Sequence, residues 1–319
     1  MSQSIIVTVR PTSEAPDVEA RLLAEGFEIG VAPYAFFRAQ RPGCTITFYE
    51  KGKVVVQGPG AKDFNYLVTG DDAPDVFGGD DDDDPAETGD LGLEAALQRH
   101  PKPPPEQWIG LDETGKGDYF GPLVVVAAAV ERKHVPLLVE LGVADSKKLT
   151  DKKIAIIAKE IQHICPNERL VIGPEKYNEL YARIGNLNAL LGWAHAKALE
   201  SALEKAPNAT WALSDQFSAN PSVIRRHFGP LAKAITWSQW PKAESDPAVA
   251  VASIHARAEF VRRLDWLRNV AGRVLPKGAG APVLAAGREL VAKHGPELLR
   301  KIAKLHFKTT QDVAPGFRG

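Results

Sequence analysis

Apolar positions along the chain fall into two kinds of pattern, and the two alternate. Short β-rich runs occur at Ser4 to Arg10, Ala35 to Gln40, Cys44 to Tyr49 and Val54 to Gln57. Each is short enough, and bounded well enough by turn residues, to predict a strand. Glu50-Lys51-Gly52-Lys53 sits between the last two as a hairpin turn. Pro16 to Glu25 carries Val18, Leu22 and Leu23 at helical intervals and meets Gly26 at its exit, which predicts a helix. Lys62 to Leu67 can begin another. These segments describe a small α+β module of residues 1–70.

Beyond residue 105 the alternation continues on a larger scale. Ile109 to Leu111 and Leu123 to Val130 read as strands. Thr150 can cap a helix whose apolar positions are Ile154, Ile157, Ile161 and Ile164. Leu170 to Ile172 is a brief strand, and Leu187 to Lys205 is a long helix rich in Ala and Leu. Thr210 to Leu213 is a buried strand ending at Ser214-Asp215. A helix can start near Pro221, Ala248 to Leu267 is another, and Pro296 to Leu305 is the last. Strands interleaved with helices at this spacing predict an α/β layered domain with a mixed sheet over residues 106–319.

The segment between the two modules has a different character. It holds five consecutive aspartates (80–84), flanked by glycine and proline, and ends in Lys102-Pro-Pro-Pro105. Like charges at that density repel and bury nothing, so residues 71–105 read as an acidic, proline-rich linker. A short helix can form at Leu91 to Arg99.

Composition narrows the class. Of 319 residues, 44% are hydrophobic and 25% charged, as in a globular protein with one large core and one small one. No apolar run is long enough to span a bilayer, and the N-terminus lacks the pattern of a signal peptide. Cys44 and Cys165 are the only cysteines, which argues against a disulfide framework and suits a reducing cytoplasm. The net charge of -1 hides an asymmetry: residues 71–94 carry eleven acidic and no basic side chains, whereas residues 95–319 carry 32 basic and 22 acidic. A near-neutral total therefore leaves room for a polyanionic partner.

The most informative chemistry lies in Trp108 to Pro122. There Asp112-Glu113 meets the glycine-rich Thr-Gly-Lys-Gly. Asp215 and Glu244 stand at comparable places, one ending a strand and one just before a helix. Oxygen ligands without paired cysteines or histidines favour Mg²⁺ or Mn²⁺ over zinc. The same residues also suit a charged turn (Asp112, Glu113) or helix and turn caps (Asp215, Glu244). Gly115-Lys116-Gly117 lacks the P-loop pattern. Its backbone N–H groups can approach a phosphate or a ribose hydroxyl, or it can be a hairpin turn needing positive φ. Ser146 and Lys147, in Asp145-Ser-Lys-Lys-Leu149, suit a substrate phosphate or an ordinary capping region.

Taken together these stretches resemble the bacterial type 2 ribonucleases H, and within them ribonuclease HIII. Gly110-Leu-Asp-Glu-Thr-Gly-Lys-Gly-Asp-Tyr-Phe-Gly-Pro-Leu-Val-Val is similar to the family's opening signature, and Asp145 to Leu149 to its second block. Asn186 to His195 resembles the central helix, Ser214-Asp-Gln-Phe217 the third acidic site, and Lys242-Ala-Glu244 with Val249 to Arg257 the fourth. Leu275-Pro-Lys-Gly-Ala279 and His306-Phe-Lys308 resemble later blocks, so the likeness covers nearly all of 106–310.

The resemblance implies a ribonuclease H-like mixed sheet flanked by helices, with Asp112, Glu113, Asp215 and Glu244 as the catalytic, metal-binding set. It implies two Mg²⁺ or Mn²⁺ ions and cleavage of the RNA strand of an RNA–DNA hybrid, leaving 3′-hydroxyl and 5′-phosphate ends. Substrate contacts would come from Gly115, Lys116, Gly117, Ser146 and Lys147. A glutamate in the fourth place points to HIII, since its sister HII usually has an aspartate there. The leading module points the same way: it resembles the TATA-binding-protein-like N-terminal domain of HIII, with Lys51 and Lys53 placed to touch backbone phosphates. Two departures stand out, the acidic linker and His255, where the family more often has an apolar residue. His255 reads as a helix-face residue near enough to the carboxylates to be influenced by them. Alternatives are HII-like cleavage at single ribonucleotides in duplex DNA and a non-catalytic hybrid-binding protein. No obligate protein partner is evident, and the expectation is a monomer.

Overall fold

In the computed structural model the described residues are 5–32, 34–58, 61–64, 66–69, 93–143 and 149–317. The chain divides into two units, Met1–Asp82 and Asp83–Gly319. The first contains β1 (Ile5–Val9), α1 (Ala15–Ala24), β2 (Glu28–Gly30), β3 (Ala35–Arg41), β4 (Cys44–Tyr49) and β5 (Lys53–Gln57), followed by the short helices α2 (Ala61–Phe64) and α3 (Tyr66–Thr69). Its five strands pair antiparallel in the order β1-β5-β4-β3-β2. Alternation sends Phe37, Ala39, Ile46, Phe48, Val54 and Val56 to one buried face, where Val18 and Leu22 of α1 cover them. The β4–β5 hairpin turns where the charged tetrapeptide predicts, with Gly52 at φ +81. A side chain on Gly52 would stand 2.5 Å from the carbonyl oxygen of Arg10.

The second unit contains α4 (Leu93–Gln98), β6 (Gln107–Thr114), β7 (Leu123–Glu131), α5 (Val135–Glu140), α6 (Asp151–Ile161), β8 (Asn167–Ile172), α7 (Pro174–Ile184) and α8 (Leu187–Lys205). It continues with β9 (Trp211–Asp215), α9 (Ser222–Arg225), α10 (Pro230–Ala234), β10 (Thr236–Trp240), α11 (Pro247–Ala271), α12 (Ala281–His294), α13 (Leu298–Ile302) and α14 (Thr309–Val313). Its sheet runs β10-β9-β6-β7-β8. The pairs β10–β9 and β9–β6 are parallel; β6–β7 and β7–β8 are antiparallel. Helices flank both faces, giving the mixed α/β sheet anticipated from the pattern.

Two cores result. Even-numbered side chains of β7, such as Val124 and Val126, join Trp108 and the buried face of α11. Odd-numbered ones, such as Val125 and Ala127, join Ile109, Leu111 and α8. β7 is apolar on both sides because both of its faces are covered. Helix α11 lies so close to β6 that a side chain at Gly110 would stand 2.0 Å from the carbonyl carbon of Ala248.

Several expectations change. β6 extends to Thr114, so Asp112 and Glu113 lie within the strand and not in a turn after it. Helix α6 stops at Ile161, leaving Ile164 beyond it. The predicted Pro296 to Leu305 helix shortens to Leu298–Ile302, because residues 302–304 instead pair with the Tyr119 to Gly121 backbone. β2, β10, α5, α7, α10, α12 and α14 have no counterpart in the periodicity reading. Residues 93–105, read as part of the linker, pack in the second unit: His100 and Asp246 are both buried, with Nε2 and Oδ2 2.7 Å apart. The aspartates 80–84 lie outside the described residues.

Candidate active site

Strands β6, β9 and β10 run in the same direction, so their C-terminal ends open on one edge of the sheet. In a sheet of this kind that edge is where ligands commonly bind. Leu111 pairs with Ser214, so the next residues along, Asp112 and Asp215, emerge side by side from β6 and β9. Both point to the α11 face, as do Trp108 and Trp211 earlier in the same strands. β10 ends at Trp240, opposite Asp215. Four residues on, Glu244 sits in a 3₁₀ turn, Ala243–Ser245. That turn is entered through Lys242 in a left-handed conformation, φ 53, which is costly for a residue with a side chain. Asp215 holds it: the backbone N–H of Ala243 donates to Asp215 Oδ1 at 2.9 Å. Asp246 then caps α11, accepting from the N–H groups of Ala248 and Val249.

Strand alternation places Glu113 on the opposite face from Asp112. There its Oε2 lies 3.0 Å from Nε2 of His195 on α8. The structure therefore brings Asp112 next to Asp215, ties Asp215 to the turn bearing Glu244, and turns Glu113 toward α8. Among the described residues no three His, Cys, Asp or Glu side chains converge tightly enough to form a ready-made cation cage.

The electrostatics show the strain of this arrangement. Burial, then the negative charges of Glu113 and Asp215, push the Asp112 carboxyl well above the usual carboxylate range. Hydrogen bonds from the Ser253 side chain and the Glu113 backbone N–H oppose the shift without cancelling it. Buried like charges relax either by protonation or by a neighbouring cation. Asp112 and Asp215, side by side at the strand ends, offer hard oxygen donors of the kind that a divalent ion such as Mg²⁺ or Mn²⁺ takes.

The glycine loop after β6 is firmly held. Gly115 has φ +96, and a side chain there would stand 2.2 Å from the carbonyl oxygen of Pro122. Tyr119 N–H donates to the carbonyl of Gly278, and Gly121 N–H to that of Ile302. Beneath the loop Lys304 is fully buried, and its Nζ donates to the carbonyl of Asp118 at 2.6 Å. Lys116 and Gly117 remain partly exposed, with Lys116 Nζ 5.9 Å from the ring centre of Phe217. Ser146 and Lys147 lie outside the described residues. Lys51 and Lys53 are exposed at the hairpin tip of the first unit.

His255 is buried on α11, and its pKa is pushed down to about 3 by burial and by Arg169. The Arg169 guanidinium lies 3.1 Å from its Nδ1, so burial and Arg169, not the carboxylates, account for the shift. Sequence reasoning assigned no role to Ser253, His195, His100 or Lys304. The only signal for His195 is a polar ring within the apolar run Trp-Ala-His-Ala-Lys-Ala-Leu.

Comparison with known proteins identifies the family. Residues 109–310 match the family model described as Ribonuclease HII, and residues 21–65 match a domain of unknown function, DUF3378. A Chlamydia pneumoniae protein named Ribonuclease HIII is 36% identical over 317 residues, covering 99% of this chain and 100% of that protein. A Protochlamydia amoebophila protein of the same name is 36% identical, covering 92% and 91%. Among solved structures, Bst-RNase HIII in complex with Mn²⁺ aligns with a TM-score of 0.62 at 31% identity, covering 97% of this chain and 98% of that one. With its mixed sheet, its edge of carboxylates and near full-length relatives, the chain belongs to the ribonuclease HII family, in its ribonuclease HIII branch.

Proposed function

We propose that this chain is an endoribonuclease that hydrolyses the RNA strand of RNA–DNA hybrids, with Asp112, Glu113, Asp215 and Glu244 as its catalytic carboxylates. The observation that carries the reading is the emergence of Asp112 and Asp215 side by side at the parallel edge, with the Glu244 turn fastened to Asp215. Two divalent cations held by these four residues would make the attacking water more acidic and neutralise charge on the leaving oxygen. The chain's own residues do the rest. Asp112 and Asp215 set the negative potential at the edge, and Asp215 fixes the turn bearing Glu244. The rigid backbone of Gly115 to Gly117 approaches the sugar edge of the RNA strand, where 2′-hydroxyls distinguish it from DNA. Lys116, Ser146 and Lys147 would supply phosphate contacts, and Lys51 and Lys53 in residues 1–70 would add further contacts to the nucleic-acid backbone. Such contacts carry little sequence information and weaken with salt.

In this reading residues 106–319 are the catalytic domain and residues 71–105 the connecting segment, whose last part, 93–105, packs in the second unit. The chain acts as a monomer in the cytoplasm on a nucleic-acid partner. Cys44 and Cys165 are both buried. No helix among the described residues is long and apolar enough to cross a membrane.

The test is cleavage of an end-labelled hybrid with EDTA, Mg²⁺ or Mn²⁺, with Asp215→Asn alongside. The expected result is cation-dependent cleavage to 3′-hydroxyl ends and a loss of at least about 100-fold in the variant, as when an electrostatic group is removed from an active site. Full activity of the variant would remove Asp215 from the set. A duplex with one embedded ribonucleotide, run in parallel, separates this reading from HII-like cleavage.

A further inference from the structure

The pair formed by Glu113 and His195 is not explained by packing. His195 is entirely buried within α8, whose neighbouring buried positions are Leu191, Ala194, Ala198 and Leu199. Its Nε2 lies 3.0 Å from Glu113 Oε2, with the two side chains 0% and 10% exposed. An ionised carboxylate can only accept, so the ring must donate through Nε2. Its Nδ1 is buried without a hydrogen-bond partner. A bare lone pair is cheaper to bury than an N–H, so the tautomer that fits carries its proton on Nε2. The ring is bounded on another side by Phe217, at 4.8 Å between ring centres, two residues after Asp215. Helix α8 is itself fixed: Asn186 caps it through the N–H of Ala189 at 2.8 Å. At Gly192 it approaches Val223 so closely that a side chain would stand 2.1 Å from that carbonyl oxygen.

Strand alternation starts the Glu113 side chain on the α8 face. An unrestrained glutamate there would sample several rotamers. We propose that His195 is a positioning residue: by donating Nε2–H to Oε2 it fixes the orientation in which the Glu113 carboxylate meets a divalent cation at the C-terminal end of β6. This deepens the functional reading above and rests on Glu113 being a cation ligand. Partners of ligating carboxylates commonly change metal affinity by about 10- to 100-fold when removed.

The experiment is direct Mn²⁺ binding to the full chain, followed by loss of the free-ion electron paramagnetic resonance signal. The variants are His195→Gln, His195→Asn, His195→Leu and Asp112→Asn. Glutamine can place an N–H near the imidazole Nε2; asparagine reaches only the Nδ1 position. The expected result is Mn²⁺ binding within about threefold of the parent for H195Q and about tenfold weaker or more for H195N and H195L. The Mn²⁺ concentration for half-maximal cleavage should shift in the same order. Equal binding by H195Q and H195N, or parent-like binding by H195L, overturns the role. If H195L fails to fold, the Gln and Asn pair decides. Parent-like binding by D112N would instead sink the carboxylate cation site itself, so the two failures are distinguishable.

Discussion

The contact of β6 with α11 at Gly110 gives the sharpest quantitative test. A methyl group at this position would stand 2.0 Å from the carbonyl carbon of Ala248, 2.2 Å from the nitrogen of Val249 and 2.4 Å from the Ala248 oxygen. Non-bonded carbons settle at about 3.5–4.0 Å, so strand and helix must part by roughly 1.5 Å. Both sides of the contact are backbone, and no side chain can swing away. Overpacking of a core costs about 1–3 kcal/mol, sometimes more, and this site belongs at the upper end. For a unit of this size each kcal/mol lowers Tm by about 2–4 °C, so Gly110→Ala should melt about 6–12 °C below the parent. Activity should fall further than stability. Asp112 lies two residues along the strand and its hydrogen-bonding partner Ser253 lies on the helix, and a misplacement of about 1 Å in an active site can cost about 100-fold. Gly173→Ala is the control, since nothing lies within 4 Å of a side chain there; it should stay within about 0.5 kcal/mol. Circular dichroism melts and hybrid cleavage check both. If G110A melts within about 2 °C of the parent and cleaves normally, α11 is not seated on the β6 backbone as described.

Two further predictions concern buried polar groups. Burial lowers the pKa of Lys304 from the usual 10.5 to about 7. Between those values the unfolded chain binds a proton that the folded chain does not, so this lysine opposes folding below about pH 7 and ceases to do so as pH rises toward 10. The stability difference between parent and Lys304→Met should therefore move in the parent's favour from pH 7 to 10, measured by urea unfolding; a difference independent of pH refutes the assignment. His100→Ala strips the buried Asp246 carboxylate of one partner and should cost about 2–3 kcal/mol. Tryptophan fluorescence during denaturation reports it, since His100 packs among Trp108, Trp211 and Trp240. A change below about 1 kcal/mol would mean that residues 93–105 only drape over the second unit.

Where local pattern dominates, the chain is readable. The bounds of α8 and β4 emerge directly from apolar runs and flanking signals, and α6 starts where Thr150 predicts, its side chain accepting from Lys153 N–H at 3.3 Å. The pattern fails where tertiary contacts override it. β10, Thr-Trp-Ser-Gln-Trp, is an edge strand with mixed exposure and no clean alternation. The chain after Ile302 is drawn out of a helix because its backbone pairs with the glycine loop. His100 looks like part of a proline-rich spacer until its nitrogen is found beside Asp246.

The sequence by itself determined the chemistry available: which carboxylates stand beside glycine, that apolar strands lead up to Asp112 and Asp215, and that Glu244 precedes a helix. It could not determine which of those carboxylates share a face. That followed from the parallel register of β6 against β9, which sets Asp112 beside Asp215, and from alternation along β6, which sends Glu113 to His195 on the far side. Strand register is fixed by cores built from residues far apart in the chain. No local window of sequence contains that information.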